Sequence, residues 1–405
     1  MSRTGPEGEH DMAALRGPLS KAARLSAAQR RDQLAQLAAQ RFHLLGYHRV
    51  SLGDVAADAG VTGPAVYRHF KNKEALLAAS IASGLDLVEE AVGGAADAPL
   101  ETVVAAVAEV GLHRPDMWVL LQRESRFLSP ELRAPVQEQF GRVVDALSRR
   151  LRRENTALAH DDARLLITAA TAVLSLPSTT RTSLTPEDYR RTLTTIALRC
   201  LRTDLASARA TMAGPDRSDQ SDPARSSRRE QIVDTAIGLF FARGYSGVSL
   251  DDIGAAIGIA GPSILHHYTT KAEILVTAFD RASDNLVEAQ TLRRSAGRAP
   301  DLQELVAAYI GYCLDNRSLL GVYVSEPMHL PPDAFARTQA TVRTELLDWT
   351  RALIATSLDL EEPVARVRVR AAVAAINDLV RLGHFADRPQ IGVEVLAVAI
   401  AVLLD

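Results

Sequence analysis

The sequence lacks the features that mark membrane and disulfide-rich proteins. No run of about eighteen apolar residues occurs in its 405 residues, so no segment is expected to span a membrane. Residues 1–21 are polar, contain several glycines and prolines, and have no apolar signal-peptide core. This composition predicts a disordered tail, which we assign to residues 1–25. We expect a cytoplasmic protein. Cys200 and Cys313 are the two cysteines, and both are expected to be buried free thiols.

Patterns of catalysis and cofactor binding are missing as well. No nucleophile–base pairing or metal-ligand spacing stands out, and the glycines of residues 60–63 indicate a turn rather than a phosphate loop. We therefore expect neither an enzyme nor a cofactor or metal site. No stretch alternates like a β-strand, which predicts an all-α fold. The net charge of −3 excludes a chain covered with nucleic acid, but a local basic site is compatible with it. Attraction to phosphates acts over only about 8–10 Å.

Residues 50–77 predict three short helices in succession. Ser51 and Asp54 have the spacing of a capping box that begins the first helix, and Gly60 ends it. Thr62 can cap the second helix, and Pro64 suits its first turn. A helix, a glycine-containing turn and a second helix form the helix-turn-helix, whose second helix enters the major groove of DNA.

This stretch resembles the DNA-binding domain of the TetR (tetracycline repressor) family. The resemblance is carried by Val-Ala-x-x-Ala-Gly-Val-Thr over residues 55–62, by Val-Tyr-Arg-His-Phe over 66–70 and by Lys-Asn-Lys-Glu-x-Leu-Leu over 71–77. It implies that Tyr67 and Lys73 contact DNA phosphates and that Arg68 can read a guanine through its bidentate fork. The alternatives are a phosphate contact for Arg68 and a packing role for His69. The predicted contact set is Ser51, Thr62, Gly63, Pro64, Ala65, Tyr67, Arg68, His69 and Lys73.

The same pattern begins again after residue 227. The glycine at 46 recurs at 244 and the lysine at 73 recurs at 271, both at an offset of 198 residues, so the domain is duplicated without a gap. The predicted order is a first DNA-binding domain (26–77), a helical lobe (78–205), a linker (206–227), a second domain (228–275) and a second lobe (276–405). Each lobe is expected to serve ligand binding and dimerisation.

The second copy has lost several of the side chains that suit DNA. Ala260 replaces the threonine cap and Leu265 replaces the tyrosine. Residues 26–73 carry seven Lys/Arg and three Asp/Glu, a charge of +4, whereas residues 224–271 carry five and four, a charge of +1. The second copy is therefore expected to bind DNA more weakly or with a different preference. Its predicted contacts are Gly261, Ser263, His266, His267 and Lys271.

The resemblance also implies a mode of assembly and an effector. TetR-like proteins normally pair through a bundle of their last two helices, and here helices over 161–176 and 186–205 can pack on those over 363–382 and 391–404 in one chain. A dimer of chains with four DNA-binding domains is the alternative. The resemblance implies a small hydrophobic effector in the lobes, for example one of acyl type. Aromatic residues are the pocket candidates, although such residues more often form plain core: Trp118, Phe127 and Phe140 in lobe one, and Tyr309, Tyr312, Tyr323 and Trp349 in lobe two.

The sequence therefore predicts a ligand-responsive transcriptional regulator that binds double-stranded operator DNA, most simply as a repressor. The competing interpretation is a ligand-binding or interaction protein whose DNA-binding surfaces have decayed. The intact set from Thr62 to Lys73 counts against that interpretation for the first copy.

Overall fold

A computed structural model describes residues 25–94, 98–212, 214, 227–295, 301–357, 359–385 and 387–404. These residues form helices and connecting turns and contain no strand, as the all-α prediction requires. The predicted tail, apart from Leu25, lies outside the described residues, and so does most of the predicted linker. None of the described helices is both long enough and apolar enough to cross a bilayer.

Two helical units follow each other along the chain in the same order. The first comprises α1 (Ala27–Leu45), α2 (Leu52–Asp58), α3 (Gly63–Tyr67), α4 (Lys73–Gly93), α5 (Leu100–His113), α6 (Pro115–Val119), α7 (Pro130–Glu154), α8 (His160–Leu174), α9 (Pro186–Leu201) and α10 (Leu205–Thr211). The second comprises α11 (Arg228–Arg243), α12 (Leu250–Ala256), α13 (Gly261–Ile264), α14 (Lys271–Ser295), α15 (Leu302–Asp315), α16 (Arg317–Ser325), α17 (Pro332–Thr356), α18 (Glu362–Arg381) and α19 (Ile391–Leu403).

The duplication is visible in the backbone itself. The positive φ angles among the described residues belong to Gly46, Gly60, Gly244 and Gly258, which form two pairs at the 198-residue offset. Each glycine adopts a conformation that side chains disfavour, so the same turns are specified twice. Serine N-caps with capping boxes begin α1, α2, α11 and α12. Local sequence thus builds the two N-terminal domains in the same way.

Two stretches differ from the sequence predictions. The predicted helical lobe is interrupted after α6, where a π-helical turn at Leu120–Glu124 and a 3-10 turn at Ser125–Phe127 follow. The predicted linker begins with α10, whose Ala208 packs against Val393 and Ala397 of α19. The sequence signal at α10 was weak because this helix has only seven residues, of which Leu205 and Ala208 are buried.

The two lobes share one hydrophobic core. Each N-terminal domain has a core of its own, whereas buried side chains from α4 to α10 and from α15 to α19 form one continuous cluster. Within that cluster α8 packs on α18 and α9 packs on α19. The last two long helices of each unit therefore form a four-helix arrangement within one chain.

Polar contacts also cross between the units. Arg209 of α10 bonds Glu394 of α19 and Asp162 of α8, and Arg388 bonds the same two carboxylates. Each N-terminal domain also approaches a side chain of the other unit. A Cβ built on Gly46 would lie 3.0 Å from the Met328 side chain, and one built on Gly244 would lie 3.0 Å from that of Arg126.

Candidate DNA-binding surface and effector cavity

Helices α2 and α3 present an open polar surface in the first unit. Ser51 is occupied by the capping box, since its Oγ accepts from the Asp54 backbone N–H at 3.2 Å and Asp54 Oδ2 accepts from the Ser51 N–H at 2.8 Å. Thr62 stands at the N-cap of α3, but its hydroxyl makes no capping hydrogen bond. A Cβ built on Gly63 meets no atom within 4 Å. The N-terminus of α3 is therefore accessible, and the Thr62 hydroxyl is available to a ligand.

The predicted DNA-contacting side chains of α3 are mostly exposed. Tyr67 is 61% exposed, and Arg68 is exposed without an ion pair in the described part of the chain. Pro64 is also exposed, whereas Ala65 and His69 are half-buried. A large aromatic side chain kept in solvent gains no stability from burial, so its exposure points to a binding role.

Lys73 has a structural task that the sequence reasoning missed. Its Nζ donates to the Tyr47 carbonyl at 2.9 Å and lies 4.3 Å from the centre of the Tyr47 ring. Burial lowers the pKa of Lys73. In the second unit Lys271 Nζ donates to the Tyr245 carbonyl at 2.8 Å and lies 4.2 Å from that ring. Both lysines tie the start of the fourth helix to the turn after the first, although an ammonium has further N–H groups for a phosphate.

The corresponding surface of the second unit is covered by an acidic side chain. Asp251 stands where the first unit has Gly53, and a Cβ built on Gly261 would lie only 1.8 Å from Asp251 Oδ1. A carboxylate therefore lies at the beginning of α13, where DNA phosphate would approach in the first unit. Repulsion between like charges disfavours DNA there.

The remaining side chains of the second surface are also poor phosphate ligands. Leu265 is 50% exposed where Tyr67 stands in the first unit, and Ala260 offers no hydroxyl at the N-cap. His266 is exposed, whereas Ser263 and His267 are half-buried. Asp251 strengthens the expectation that the second domain binds DNA weakly. Aligning the two copies of the repeat would have shown this acidic residue in place of Gly53.

Comparison with known proteins agrees with this geometry. The family model described as bacterial regulatory proteins of the tetR family matches residues 35–80 and again residues 232–278. Both N-terminal domains of the chain therefore match the TetR family. The chain carries the family's DNA-binding domain twice, which confirms the tandem arrangement expected from the sequence.

Two transcriptional regulators and one solved structure are among the proteins similar to this chain. The HTH-type transcriptional activator FasR of Mycolicibacterium smegmatis is 29% identical over 44% of this chain and 81% of its own. The HTH-type transcriptional repressor KstR2 of the same species is 33% identical over 25% of this chain. The matched region covers 53% of that relative, about half of its length. A tetR-family regulatory protein from Rhodococcus RHA1 aligns with 43% of this chain and 97% of its own, at 24% identity and a TM-score of 0.38.

The lobe of the first TetR unit contains a cavity of about 350 Å³, which we call the lobe-one cavity. Two of the predicted aromatic residues, Trp118 and Phe140, lie in its wall. Phe127 does not line it, because its ring stacks on Tyr47 at 5.4 Å beneath the first DNA-binding domain. The remaining wall combines α6, the π-helical turn, α7 and α8 with the end of α18 and the following residues: Leu121, Gln122, Ser125, Gln137, Val144, Arg164, Ile167, Thr168, Thr171, Asp378, Arg381, Leu382 and His384.

In lobe two the predicted aromatic residues pack against other side chains and do not surround the cavity described below. Trp349 is fully buried and donates to Glu345 at 3.0 Å, and Tyr309 meets it edge-on and donates to Asn377 at 2.8 Å. The ring of Tyr323 stacks on Phe279. Neither these residues nor half-buried Tyr312 line the cavity of about 280 Å³ that lies between lobe two and the first unit. At an offset of 202 residues, Val107 and Leu147 are the smaller counterparts of Tyr309 and Trp349.

Proposed function

We propose that this TetR-type transcriptional regulator uses a single chain as its DNA-binding unit, with the first helix-turn-helix supplying most of the specific contacts. One observation carries the proposal. Thr62, Tyr67 and Arg68 form an open surface on the first unit, whereas Asp251 covers the equivalent surface of the second. The charges of +4 and +1 for the matched windows support the same order of affinity.

The packing of the lobes supports a pseudodimer within one chain. TetR-like readers work in pairs, and the four-helix arrangement of α8, α9, α18 and α19 supplies an intramolecular equivalent of the usual interface. Two readers held in this way are suited to half-sites about one helical turn of DNA, or a multiple, apart. The operator should then be non-palindromic, with one strongly specified half-site and one loose half-site.

Selection from random duplexes, followed by weighing of the complex, tests this proposal. The expected result is a non-palindromic site bound by one chain. A palindrome bound by two chains would instead show that two copies of the first domain read the DNA. If the duplexes recovered by the selection were still random in sequence, specific recognition would be contradicted.

We further propose that the regulator is a repressor released by a small hydrophobic ligand. The lobe-one cavity supports this because its volume falls within the range of about 300–1,000 Å³ usual for ligand pockets and its wall is largely apolar. A reporter placed behind the selected operator tests the direction of control. Loss of the chain should raise expression, and a fall in expression would identify an activator.

A decayed DNA-binding surface is favoured for the second domain alone. Its apolar exposed residue, Leu265, and its acidic one, Asp251, suit a domain that supports the first reader instead of reading bases itself.

A further inference from the structure

Part of the wall of the lobe-one cavity is formed by polar residues of the other unit. Arg381 and His384 extend its wall from the end of α18 and beyond, and Arg164 lies on α8. Burial lowers the pKa of His384, and the nearby charges of Arg164 and Arg317 lower it further, so two arginines lie close to this end of the cavity. Buried Arg381 Nε has no acceptor among the described residues. An acidic group at this end of the cavity would supply one.

The opposite side of the cavity is apolar. Trp118, Phe140 and Ile167 line it and also line a small inner space of about 20 Å³ between α5, α7 and α8. The smaller residues of lobe one, Val107 and Leu147, border that inner space. In lobe two Tyr309 and Trp349 occupy the corresponding positions. An apolar body with an acidic head therefore fits lobe one better than lobe two.

One hydrogen-bonded group separates the two cavities. Gln122 Nε2 donates to Asp378 Oδ2 at 2.9 Å across the units, and Arg381 Nη2 donates to Asp378 Oδ1 at 2.9 Å. All three residues line both cavities. Their counterparts at the 202-residue offset are Val324, Leu176 and Thr179, so the repeat does not contain a second group of this kind.

The π-helical turn that carries Gln122 also holds the first DNA-binding domain. Arg123 Nη2 donates to the His43 carbonyl at 3.4 Å, and its Nε donates to Glu124 at 2.6 Å. Glu124 in turn accepts from the Tyr47 backbone N–H at 3.4 Å. The end of α1 and the following turn are thus held by two long hydrogen bonds from a π-helical turn, an element that often occurs at functional sites.

The second DNA-binding domain is held differently. Ser325 stands in place of the arginine, and Glu326 accepts from Arg126 of the other unit and from Ser325. Among the described residues, the Tyr245 backbone N–H does not donate a hydrogen bond to Glu326. Instead Gly321 lets α16 approach Phe241 of α11, where a built Cβ would lie 2.2 Å from the ring. Close apolar packing of this kind does not respond to small polar rearrangements.

We propose that an apolar carboxylic acid binds in the lobe-one cavity and loosens the first DNA-binding domain alone, through Arg381, Gln122 and the Arg123–Glu124 pair. The carboxylate takes Arg381 from Asp378, so that the Asp378 side chain can turn together with the Gln122 bonded to it and the π-helical turn can shift. The predicted change in operator affinity rests on the proposed function, whereas binding of the acid can be measured without DNA.

Decanoate is the probe, and decan-1-ol is its uncharged match. Calorimetry on the full chain without DNA should give one decanoate per chain, bound at least about tenfold more tightly than the alcohol. Arg381→Gln should abolish this preference. Absence of decanoate binding, two acids per chain or equal binding of the alcohol would each overturn the assignment of the site.

Operator binding then tests the route. Saturating decanoate should lower operator affinity of the unaltered chain by a factor within about 5–150, the usual range of coupling between sites. Arg123→Ser, which installs the residue of the second unit, should keep decanoate binding and lose this effect. Arg142→Ser removes an exposed arginine–glutamate pair of the same unit and should keep both.

Two results would overturn the route while leaving the acid site intact. They are an unaltered chain whose operator affinity ignores bound decanoate, and an Arg123→Ser chain that still responds. Arg123→Lys provides a milder second variant if the serine variant does not fold. Failure to bind any specific DNA would count against the proposed function, because decanoate binding is measured separately.

Discussion

At the scale of single residues, the two units serve as an internal control for each other. Arg68 is exposed and unpaired in the described part, and His266 occupies the same position in the second unit. We predict that Arg68→Ala weakens operator binding by about 1–3 kcal/mol and relaxes preference at one base position, because a bidentate contact to guanine is lost. His266→Ala should change affinity by less than about twofold. Fluorescence anisotropy and selection of bound sequences measure both, and an equal loss in the two variants would contradict the ranking of the readers.

The paired lysines separate a structural role from a DNA contact. Lys73 and Lys271 each donate to a backbone carbonyl beside a tyrosine ring, so replacing either with alanine should cost about 1–2 kcal/mol of unfolding free energy. Only Lys73→Ala should also reduce the slope of log affinity against log salt, by about 0.9 for one lost phosphate contact. Denaturant titration and binding at several salt concentrations give the two quantities. An unchanged salt slope would leave Lys73 with the structural role alone.

At the scale of elements, one exchange between α2 and α12 should alter both readers. Asp251→Gly uncovers the beginning of α13, and Gly53→Asp places a carboxylate near the beginning of α3. We predict that the first change increases affinity for DNA and its salt dependence, and that the second lowers operator affinity about tenfold or more. Electrophoretic mobility shifts with the selected operator measure both. Melting temperatures serve as the control, because a glycine inside a helix also destabilises it.

The element scale also shows what the sequence could and could not predict. Capping serines and turn glycines are local signals, so α2, α3, the start of α4 and their repeats followed from residues such as Ser51 and Gly60. The π-helical turn at Leu120–Glu124 did not follow, because contacts with α1 and α18 decide its backbone conformation. Trp349 and Tyr309 were pocket candidates by residue type, and only packing revealed that they fill lobe two. Asp251 could have been found by aligning the copies, but its effect on α13 required coordinates.

At the scale of the whole molecule, a charge cluster joins the two units. Burial acts to raise the pKa of Asp162, but hydrogen bonds from Arg209 and Arg388 outweigh this effect and hold the pKa below its usual range. A carboxylate with a lowered pKa in the folded state adds stability above its unfolded pKa of about 4, and that stability is lost as pH falls through the folded value. The contact between the two units should therefore become less stable below about pH 4.

Replacing Asp162 tests the cluster. Asp162→Asn should cost on the order of 2 kcal/mol at pH 7, less than a fully buried pair because Arg209 remains 27% exposed. The difference from the unaltered chain should shrink as pH falls below about 4. Asp161→Asn, at an exposed neighbour, is the control and should leave stability unchanged. Denaturant titrations at the two pH values provide the measurement, and a pH-independent difference would contradict the assignment.

The shared core of the two lobes has a consequence for dosage. A regulator assembled from two chains loses its partner on dilution, so its occupancy falls with the square of its concentration when copies are scarce. Here the two halves are linked covalently and remain at a high effective concentration whatever the number of molecules in the cell. Operator occupancy should therefore follow a simple hyperbola in protein concentration and persist at copy numbers at which separable subunits would be apart.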